Sequence, residues 1–362
     1  MNKYEIAVIQ GDGIGPEVCS AAMDVLNEAV GGDRFDFVEY PAGAQHYVDS
    51  GQAFPNETFE GCKRADAILH GAAGLPGVTY PDGTEAGLDF GLNLRFRLNL
   101  YANIRPIKLH KGVLCPLRKF EPGAIDYVIV RENTEGLYSS RGGGTRVRDD
   151  LVTDTLVVTR EGTERVVRKA FELAKARTGA PEDGKRRVTC CDKSNVLRSY
   201  AFFREVAISV AKDYPDIELD FALMDAMTVH LVNRPDYYDV IVTENMFGDI
   251  LSDLGAATIG SMGMSPTAEV GDRHGFFQAA HGSAPDIAGR GIANPLGTIL
   301  SAQMMLNWLG DRHGDDSLLT GAKRISRAVE RVLASQEGLP YDLGGKGTTA
   351  EVAGNVKKSL NY

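Results

Sequence analysis

Short apolar runs alternate along the chain with segments of helical periodicity, and this alternation constrains the fold more than any other feature. The residues 163–177 carry apolar side chains at i, i+4, i+7 and i+8, and residues 325–333 repeat that spacing. A further helix is predicted from Pro295 to Leu309, ended by Gly310. The runs typical of strands are Glu5–Ile9, Ala67–Leu69, Tyr127–Val130, Val188–Cys191 and Val240–Val242. The pattern predicts an α/β fold with a mainly parallel sheet.

Length and charge limit the classes of function. The chain has 362 residues and a formal net charge of −10, so we expect two domains and neither a nucleic-acid nor an anionic-membrane partner. No apolar run approaches the ~20 residues of a membrane helix. Residues 1–10 resemble a strand rather than a signal peptide. The five cysteines are odd in number and lack a CxxC spacing, which indicates a reducing, cytoplasmic location.

A glycine-rich turn, Gly11-Asp-Gly-Ile-Gly-Pro16, follows the first predicted strand and opens a helix. Backbone amides in such a turn can approach an anion at the helix N-terminus. The turn departs from the dinucleotide-binding fingerprint in its third glycine and lacks an acidic residue at the end of a second strand. A tight turn without a ligand therefore remains as good an interpretation.

Three arginines, Arg95, Arg105 and Arg131, are candidates for carboxylate binding. Arg95 and Arg105 lie in a stretch of apolar alternation, and Arg131 follows the predicted strand 126–130. Ligands of open α/β sheets bind at the carboxyl ends of strands, and guanidinium groups hold carboxylates with two parallel hydrogen bonds. The arginines indicate a di- or tricarboxylate ligand, with a purely structural role as the alternative.

Asp249 and Asp253 are spaced i, i+4 in a predicted helix. Their like charges repel on one helix face, and a divalent cation between them would reverse the sign of that interaction. Oxygen ligands suit Mg²⁺ or Mn²⁺. The alternative is an acidic first turn favoured by the helix dipole.

Other polar residues also follow strands or precede helices. Lys193 lies at a strand end, where burial or a neighbouring charge would make it a general base; a solvated lysine is the alternative. Asp225 lies in Met224-Asp-Ala-Met, and Tyr138 follows Arg131 by seven residues, with a packing tyrosine as the alternative. The small residues from His281 to Asp286, with Asn294, permit close approach of a flat or anionic ligand, and Asp286 could accept hydrogen bonds from a ribose. A plain capping loop is the alternative.

These segments together resemble the β-decarboxylating dehydrogenases, the family of isopropylmalate, isocitrate, homoisocitrate and tartrate/D-malate dehydrogenases. The resemblance extends from about residue 9 to Asp342-Leu-Gly-Gly. The matching stretches, in the family's order, are Gly11–Glu17, Leu100-Tyr-Ala-Asn-Ile-Arg-Pro106, Arg131-Glu-Asn-Thr-Glu-Gly-Leu-Tyr138, Asp192-Lys-Ser-Asn-Val196, Asp225-Ala-Met, Gly248-Asp-Ile-Leu-Ser-Asp-Leu254, and His281-Gly-Ser-Ala-Pro-Asp286 through Asn294-Pro295.

The resemblance implies an isopropylmalate/isocitrate dehydrogenase-like fold of two interleaved α/β domains with the active site in a cleft between them. We map the large domain to residues 1–104 plus 260–362 and the smaller, central domain to residues 105–259. It also implies a homodimer with shared active sites, in which Lys193 and Asp225 reach the partner's cleft.

The resemblance further implies a set of site residues. Lys193 would take the hydroxyl proton and Tyr138 would protonate the product carbon. The metal, Mg²⁺ or Mn²⁺, would be held by Asp249, Asp253 and the partner's Asp225. The hydroxy-dicarboxylate substrate would be held by Arg95, Arg105, Arg131 and Leu92. The NAD cofactor would contact Ile14, His281, Gly282, Ser283, Ala284, Pro285, Asp286 and Asn294.

The substrate prediction rests on residues just before Arg95. Leu92 matches a pocket leucine of isopropylmalate enzymes, whereas Gly91 replaces the other leucine and Asp89 would repel a third carboxylate. We therefore expect 3-isopropylmalate or a related 3-alkylmalate, then D-malate or tartrate, then isocitrate or homoisocitrate. Asp286 would repel the 2′-phosphate of NADP, which favours NAD.

Two other classes of function use some of the same residues. A metal-dependent hydrolase or phosphotransferase could use Asp249 and Asp253, although no Walker-type lysine follows Gly15. A carboxylate-binding protein without catalysis is the third class.

One departure from the family concerns cofactor placement: Gln278-Ala-Ala stands before His281 where a Glu-Pro-Val run is common.

Overall fold

A computed structural model describes residues 3–117 and 119–361. The chain divides into two compact units. The first falls within Met1–Asn99, His110–Leu114 and Gly260–Tyr362, and the second within Leu100–Leu109 and Cys115–Ile259. Met1 and Asn2, the start of the predicted N-terminal strand, lie outside the described residues.

The elements alternate as the sequence pattern predicts. The strands are β1 Tyr4–Gly11, β2 Phe35–Glu39, β3 Ala67–Ala72, β4 Ala102–Lys108, β5 Asp126–Glu132, β6 Thr145–Val147, β7 Leu151–Thr153, β8 Arg187–Asp192, β9 Glu218–Leu223, β10 Val240–Thr243, β11 Pro266–Val270 and β12 Gly275–Ala279. The helices are α1 Gly15–Val30, α2 Ala44–Ser50, α3 Asn56–Arg64, α4 Asp89–Arg97, α5 Arg160–Ala176, α6 Arg198–Ala211, α7 Met224–Asn233, α8 Asn245–Thr258, α9 Leu296–His313, α10 Asp316–Ser335 and α11 Thr349–Ser359.

The first unit orders its strands β2-β1-β3-β12-β11. The pairs of β1 with β2 and β3, and of β3 with β12, are parallel, whereas β11 and β12 are antiparallel. Helices α1, α9, α10 and α11 pack against one another beside these strands. Residues of β1 from Ile6 to Ile9 are inaccessible to solvent, because both faces of these parallel strands are covered.

The second unit orders its strands β4-β5-β10-β8-β9. Within this order the β4–β5 pair is antiparallel and the other pairs are parallel. The strands β6 and β7 form a separate antiparallel pair. Each of the parallel strands β5, β8 and β10 leads into a segment with predicted site residues. Arg131 lies near the end of β5, Lys193 directly follows β8, and α8 begins shortly after β10. The predicted α/β class with a mainly parallel sheet is confirmed.

One local prediction needed correction. The helix predicted to end at Gly310 continues to His313 and ends at Gly314, which takes the left-handed conformation at φ 63°; Gly310 is buried inside the helix against Leu319. The stretch of apolar alternation that carries Arg95 and Arg105 is divided between two elements: Leu94 and Arg95 belong to α4, and residues from Ala102 onward form β4. None of the helices formed by the described residues is long and apolar enough to cross a membrane.

Candidate active site

The glycine turn of the first unit is shaped by close backbone approach. Gly13 has φ +58°, and a Cβ there would lie 2.0 Å from the carbonyl oxygen of Ser283. The amide of Ile14 donates to that same carbonyl at 2.9 Å. A side chain at position 13 would therefore separate the turn from the 281–286 loop. The two motifs predicted to bind the cofactor are thus in direct contact.

The carboxylate of Asp12 holds this turn to two other segments. It is 2% exposed and accepts backbone hydrogen bonds from Ala44, Gln45 and Gly74 at 2.9, 2.9 and 2.8 Å. Two of these amides open α2, where helix N–H groups have no partner within the helix. Asp12 therefore fixes the turn, the start of α2 and the loop after β3 in one arrangement, a role that the sequence analysis missed.

A cavity of about 510 Å³ opens beside the turn. Three predicted cofactor residues line it: Ile14, His281 and Asn294. It combines apolar walls with a few polar groups, as small-molecule sites do. The lining residues that the sequence analysis missed are Gly263, Ile287, Arg290, Ile292, Ala293, Tyr341, Asp342, Lys346 and Gly347. The Asp342-Leu-Gly-Gly segment of the family resemblance was the available signal for part of this set.

The polar groups of the cavity are held in defined orientations. The side-chain amide of Asn294 donates to Asp342 at 3.0 Å, and its oxygen accepts the amide of Leu296 at 2.9 Å. Burial lowers the pKa of His281, so its imidazole is neutral at physiological pH. Neutral His281 and apolar Ile14 both line the cavity, a combination that suits an aromatic ligand such as a nucleobase.

The other predicted cofactor residues take different positions around the cavity. The hydroxyl of buried Ser283 donates to the carbonyl of Gly74, so it stabilises the loop. Ala284 packs against the cluster that contains Ile14. Gly282, Pro285 and Asp286 are exposed and do not line the cavity.

In the second unit, Arg131 lies against the face of α8 that carries Asp249. Its guanidinium contacts the Asp249 carboxylate and donates twice to the side-chain oxygen of Asn245, at 2.9 and 2.7 Å. A Cβ on Gly248 would lie 2.5 Å from the Cβ of Arg131, so glycine permits this approach. The hydroxyl of Tyr138 donates to the other oxygen of Asp249 at 2.9 Å.

Arg105 approaches the same helix from β4. Its guanidinium lies 3.3 Å from Asp249 and 4.0 Å from Asp253, and it donates to the hydroxyl of Ser252. Burial raises the pKa of Asp253, and the neighbouring Asp249 charge adds to the effect, whereas Arg105 opposes it. The geometry therefore brings Arg105, Arg131, Tyr138, Asp249 and Asp253 together in one cluster.

Glu244 sets the position of α8. Its carboxylate accepts the backbone amides of Met246 and Phe247 at the helix start and the hydroxyl of Tyr200. Burial raises the pKa of Glu244, and these hydrogen bonds oppose that change. An acidic residue at this position also suits the positive end of the helix dipole. The cap directs the following turns, with Asp249 and Asp253, toward Arg131 and Arg105.

Lys193 and Asp225 form a separate pair in the second unit. The Lys193 ammonium lies 2.5 Å from the Asp225 carboxylate, which is exposed at the start of α7. The hydrogen bond from Lys193 lowers the pKa of Asp225. The preceding Asp192, which is inaccessible to solvent, accepts both arms of Arg204 at 2.8 and 2.9 Å and so holds the strand end that carries Lys193.

Asp249 and Asp253 are the carboxylates of this cluster that would hold a divalent cation. Among residues 3–117 and 119–361, no three histidine, cysteine or acidic side chains converge on one point. Asp249 and Asp253 provide hard oxygen ligands of the kind Mg²⁺ and Mn²⁺ prefer, and Asp225 stands apart with Lys193. The two carboxylates fit a cation of this kind that completes its shell with water or with a ligand from outside this cluster.

Arg95 and Leu92 lie on α4 of the first unit. The Arg95 guanidinium forms a bidentate ion pair with Glu269 of β11, with N···O distances of 2.7 and 2.8 Å. Leu92 is half-buried one turn before Arg95. Asp89 accepts the side-chain amide of Asn93 at 3.1 Å. The residues around Arg95 in the sequence do not indicate Glu269 as its partner.

Comparison with known proteins extends along almost the whole chain. The isocitrate/isopropylmalate dehydrogenase family model matches residues 5–356. The 3-isopropylmalate/3-methylmalate dehydrogenase of Methanocaldococcus jannaschii is 44% identical over 358 residues, which cover 99% of each chain. The 3-isopropylmalate dehydrogenase of Archaeoglobus fulgidus is 42% identical with the same coverage.

Solved structures agree in fold. The isocitrate dehydrogenase from Methylococcus capsulatus has a TM-score of 0.86 at 35% identity and covers 99% of this chain and 100% of its own. The β-decarboxylating dehydrogenase from Thermococcus kodakarensis has a TM-score of 0.78 at 37% identity, with 99% and 96% covered. The predicted family and fold are confirmed: the chain belongs to the isocitrate/isopropylmalate dehydrogenase family of β-decarboxylating dehydrogenases.

Proposed function

We propose that this enzyme oxidises and decarboxylates a malate-type (2R)-2-hydroxy acid, with NAD as hydride acceptor and Mg²⁺ or Mn²⁺ as metal. The observation that carries the proposal is the cluster of Arg105, Arg131, Tyr138, Asp249 and Asp253. It combines two cations for an anionic substrate, two carboxylates for a metal and a hydroxyl for proton transfer. A hydrolase or a simple carboxylate-binding protein would not require this combination.

Two guanidinium groups of the cluster would bind substrate carboxylates. Arg131 is buried and Arg105 is 5% exposed, so a carboxylate that replaces their contacts with Asp249 and Asp253 would be held away from water. When bound, the cation would stabilise negative charge on the substrate oxygens, and NAD would supply the hydride acceptor. Asp249, Asp253 and the partner's Asp225 would hold the cation, and Arg95 would assist in binding the substrate.

Two side chains would move protons. Lys193 would accept the proton of the C2 hydroxyl as hydride leaves C2. The resulting ketone lies β to the second carboxylate, which leaves as CO₂, and Tyr138 would then donate a proton to C3. The hydrogen bond from the Tyr138 hydroxyl to Asp249 supports the placement of this donor beside the metal and substrate residues.

The NAD adenosine would occupy the cavity lined by Ile14, His281 and Asn294. Neutral His281 would contact the base, and Asp342 with Asn294 would supply polar contacts. The exposed carboxylate of Asp286 would accept from the adenosine ribose, together with the adjoining Gly282, Ser283, Ala284 and Pro285 backbone. A 2′-phosphate there would meet that negative charge, so we propose a preference for NAD over NADP.

We also propose a homodimer in which each site takes Lys193 and Asp225 from the other subunit. Helices α7 and α8 expose apolar side chains: Val229 is 57% exposed, Val232 39% and Ile250 52%. Helices α7 and α8 pack against each other, and exposed apolar residues on packed helices favour a protein interface. Residues 1–104 with 260–362 and residues 105–259 would act as the two functional domains. The free cysteines support a cytoplasmic location.

For the substrate we propose 3-isopropylmalate or another 3-alkylmalate. The relatives from M. jannaschii and A. fulgidus are named for 3-isopropylmalate and, in the first case, 3-methylmalate. Half-buried Leu92 offers apolar contact for the C3 substituent, and Asp89 would repel a third carboxylate. We rank D-malate and tartrate second, and isocitrate and homoisocitrate last.

One panel of assays tests the proposal. Formation of NADH is followed with Mn²⁺ and 3-isopropylmalate, D-malate, tartrate, isocitrate or homoisocitrate, and each is repeated with NADP. We expect 3-isopropylmalate to exceed isocitrate in kcat/KM by at least about a hundredfold, since each 1.4 kcal/mol corresponds to tenfold. No NADH with any hydroxy acid would contradict the reaction, and a higher kcat/KM for isocitrate would contradict the substrate.

A further inference from the structure

Arg95, Glu269 and Gln278 are linked by side-chain hydrogen bonds in the first unit. The Glu269 carboxylate of β11 accepts from Nε and Nη2 of Arg95 at 2.7 and 2.8 Å. It also accepts from the side-chain amide of Gln278 in β12 at 2.8 Å. The Glu269 side chain is inaccessible to solvent and that of Arg95 is 12% exposed. Hydrogen bonds to ionised groups are strong under such burial.

The strand register explains how Gln278 reaches Glu269. In the antiparallel β11–β12 pair, Thr267 lies opposite Gln278 and Glu269 lies opposite Phe276. Because side chains two residues apart share a face, Glu269 and Gln278 are diagonal neighbours, within reach for long side chains. The Glu269 carboxylate therefore accepts from one cationic group, the guanidinium of Arg95, and from one neutral group, the amide of Gln278.

The fork geometry restricts the arginine. A guanidinium has five N–H donors in one plane, and two parallel hydrogen bonds to one carboxylate fix both the plane and its rotation. A long arginine side chain would otherwise retain many rotamers. The ion pair with Glu269 thus fixes the direction of the Arg95 N–H groups that do not face Glu269.

We propose that Glu269 is a positioning residue, which orients Arg95 for the substrate carboxylate, and that Gln278 gives Glu269 a neutral hydrogen-bond donor in place of a second carboxylate. This inference rests on the proposed function, in which Arg95 contacts the hydroxy acid. It also gives a reason for glutamine at position 278: a glutamate there would bring a second carboxylate against Glu269.

The first test compares Glu269→Gln with Asp315→Asn, which removes the carboxylate paired with Arg34 elsewhere in the first unit. Steady-state kinetics are measured with 3-isopropylmalate and NAD. We expect Glu269→Gln to raise the KM for the hydroxy acid about tenfold, with kcat within about threefold and the KM for NAD unchanged. Asp315→Asn should lower thermal stability without changing either KM.

The second test uses Gln278→Glu, which also serves if Glu269→Gln does not fold. Two carboxyls at hydrogen-bond distance cannot both ionise easily, so one takes up a proton and its pKa rises. We expect the KM for the hydroxy acid to rise with pH between 6 and 9 in this variant and to change less than twofold in the wild type. Arg95 keeps its charge over this range, and the nearby His70, whose pKa is lowered to about 4 by burial, stays neutral.

The double variant Glu269→Gln/Gln278→Glu separates positioning from charge balance. It keeps one carboxylate and one amide, so the network remains neutral, but it moves the carboxylate to the other strand. We expect a stable protein whose KM for the hydroxy acid stays raised.

Turnover by the wild type separates a failure of the proposed function from a failure of the positioning role of Glu269. If the wild type oxidises none of the malates, the proposed function fails. If it oxidises 3-isopropylmalate but the KM is unchanged in both single variants, or is restored by the double variant, the positioning role of Glu269 is refuted and the proposed function stands.

Discussion

Substitution of Asp12 by asparagine should destabilise the first unit and weaken NAD binding. Oδ2 of Asp12 accepts the amides of Ala44 and Gly74, and Oδ1 accepts that of Gln45. Asparagine has only one acceptor oxygen in its side chain. If that oxygen faces Ala44 and Gly74, the NH₂ group points at the N–H of Gln45.

The magnitude follows from these three contacts. The Gln45 amide, facing another donor, loses its partner at a cost of about 1–3 kcal/mol. The other two hydrogen bonds lose the ionised acceptor, which is worth roughly 1 kcal/mol each. The expected loss is about 3–5 kcal/mol, a large fraction of the ~5–15 kcal/mol stability of a native protein.

Thermal unfolding measures this loss. For a unit of this size each kcal/mol lowers Tm by about 2–4 °C, so Asp12→Asn should unfold roughly 6–20 °C below the wild type. The matched control is Asp24→Asn, whose exposed carboxylate lies 3.5 Å from Lys357; a surface pair contributes about 0–1 kcal/mol. The KM for NAD should rise in Asp12→Asn because the turn that carries Ile14 loses its anchor.

A small effect would refute this argument. If Asp12→Asn changes Tm by no more than Asp24→Asn does, the three backbone contacts do not hold the turn in solution. If Tm falls but the KM for NAD does not change, the turn is structural and lies outside the cofactor site.

Three other expectations concern the proton carriers, the metal and acid stability. Lys193→Met should lower kcat about 10²–10⁴-fold, and wild-type turnover in the folded variant would exclude Lys193 as the general base. Tyr138→Phe should slow product protonation more than hydride transfer, which a pre-steady-state burst of NADH would show. Excess chelator should abolish activity and Mn²⁺ should restore it, and full activity in chelator would contradict the metal assignment. The Ser317 hydroxyl, with Arg34, lowers the pKa of Asp315 to about 2 from 3.8. The stability that ionised Asp315 contributes is therefore present above pH 4 and is lost as the pH falls toward 2, so Asp315→Asn should remove roughly 1–2 kcal/mol of acid-dependent stability. If the urea midpoint of Asp315→Asn follows that of the wild type between pH 2 and 5, this expectation is wrong.

Local pattern was enough to predict much of this protein. The alternating periodicities indicated an α/β fold, since strand and helix periods are properties of neighbouring residues. The i, i+4 spacing of Asp249 and Asp253 placed both on one face of α8, and the glycines of the 11–15 turn indicated close backbone approach. Helix ends were less certain: Gly310 resembles a terminator, but burial against Leu319 keeps it inside α9.

Contacts between residues far apart in sequence were decided only by the tertiary structure. Nothing near Asp12 in the chain indicates that its carboxylate accepts amides from Ala44, Gln45 and Gly74, and nothing near Arg95 indicates Glu269. The strand register brings Gln278 to the same carboxylate. A charge or a polar group can be placed on an element from local sequence, but the partner that makes its burial favourable is selected by packing across the whole unit.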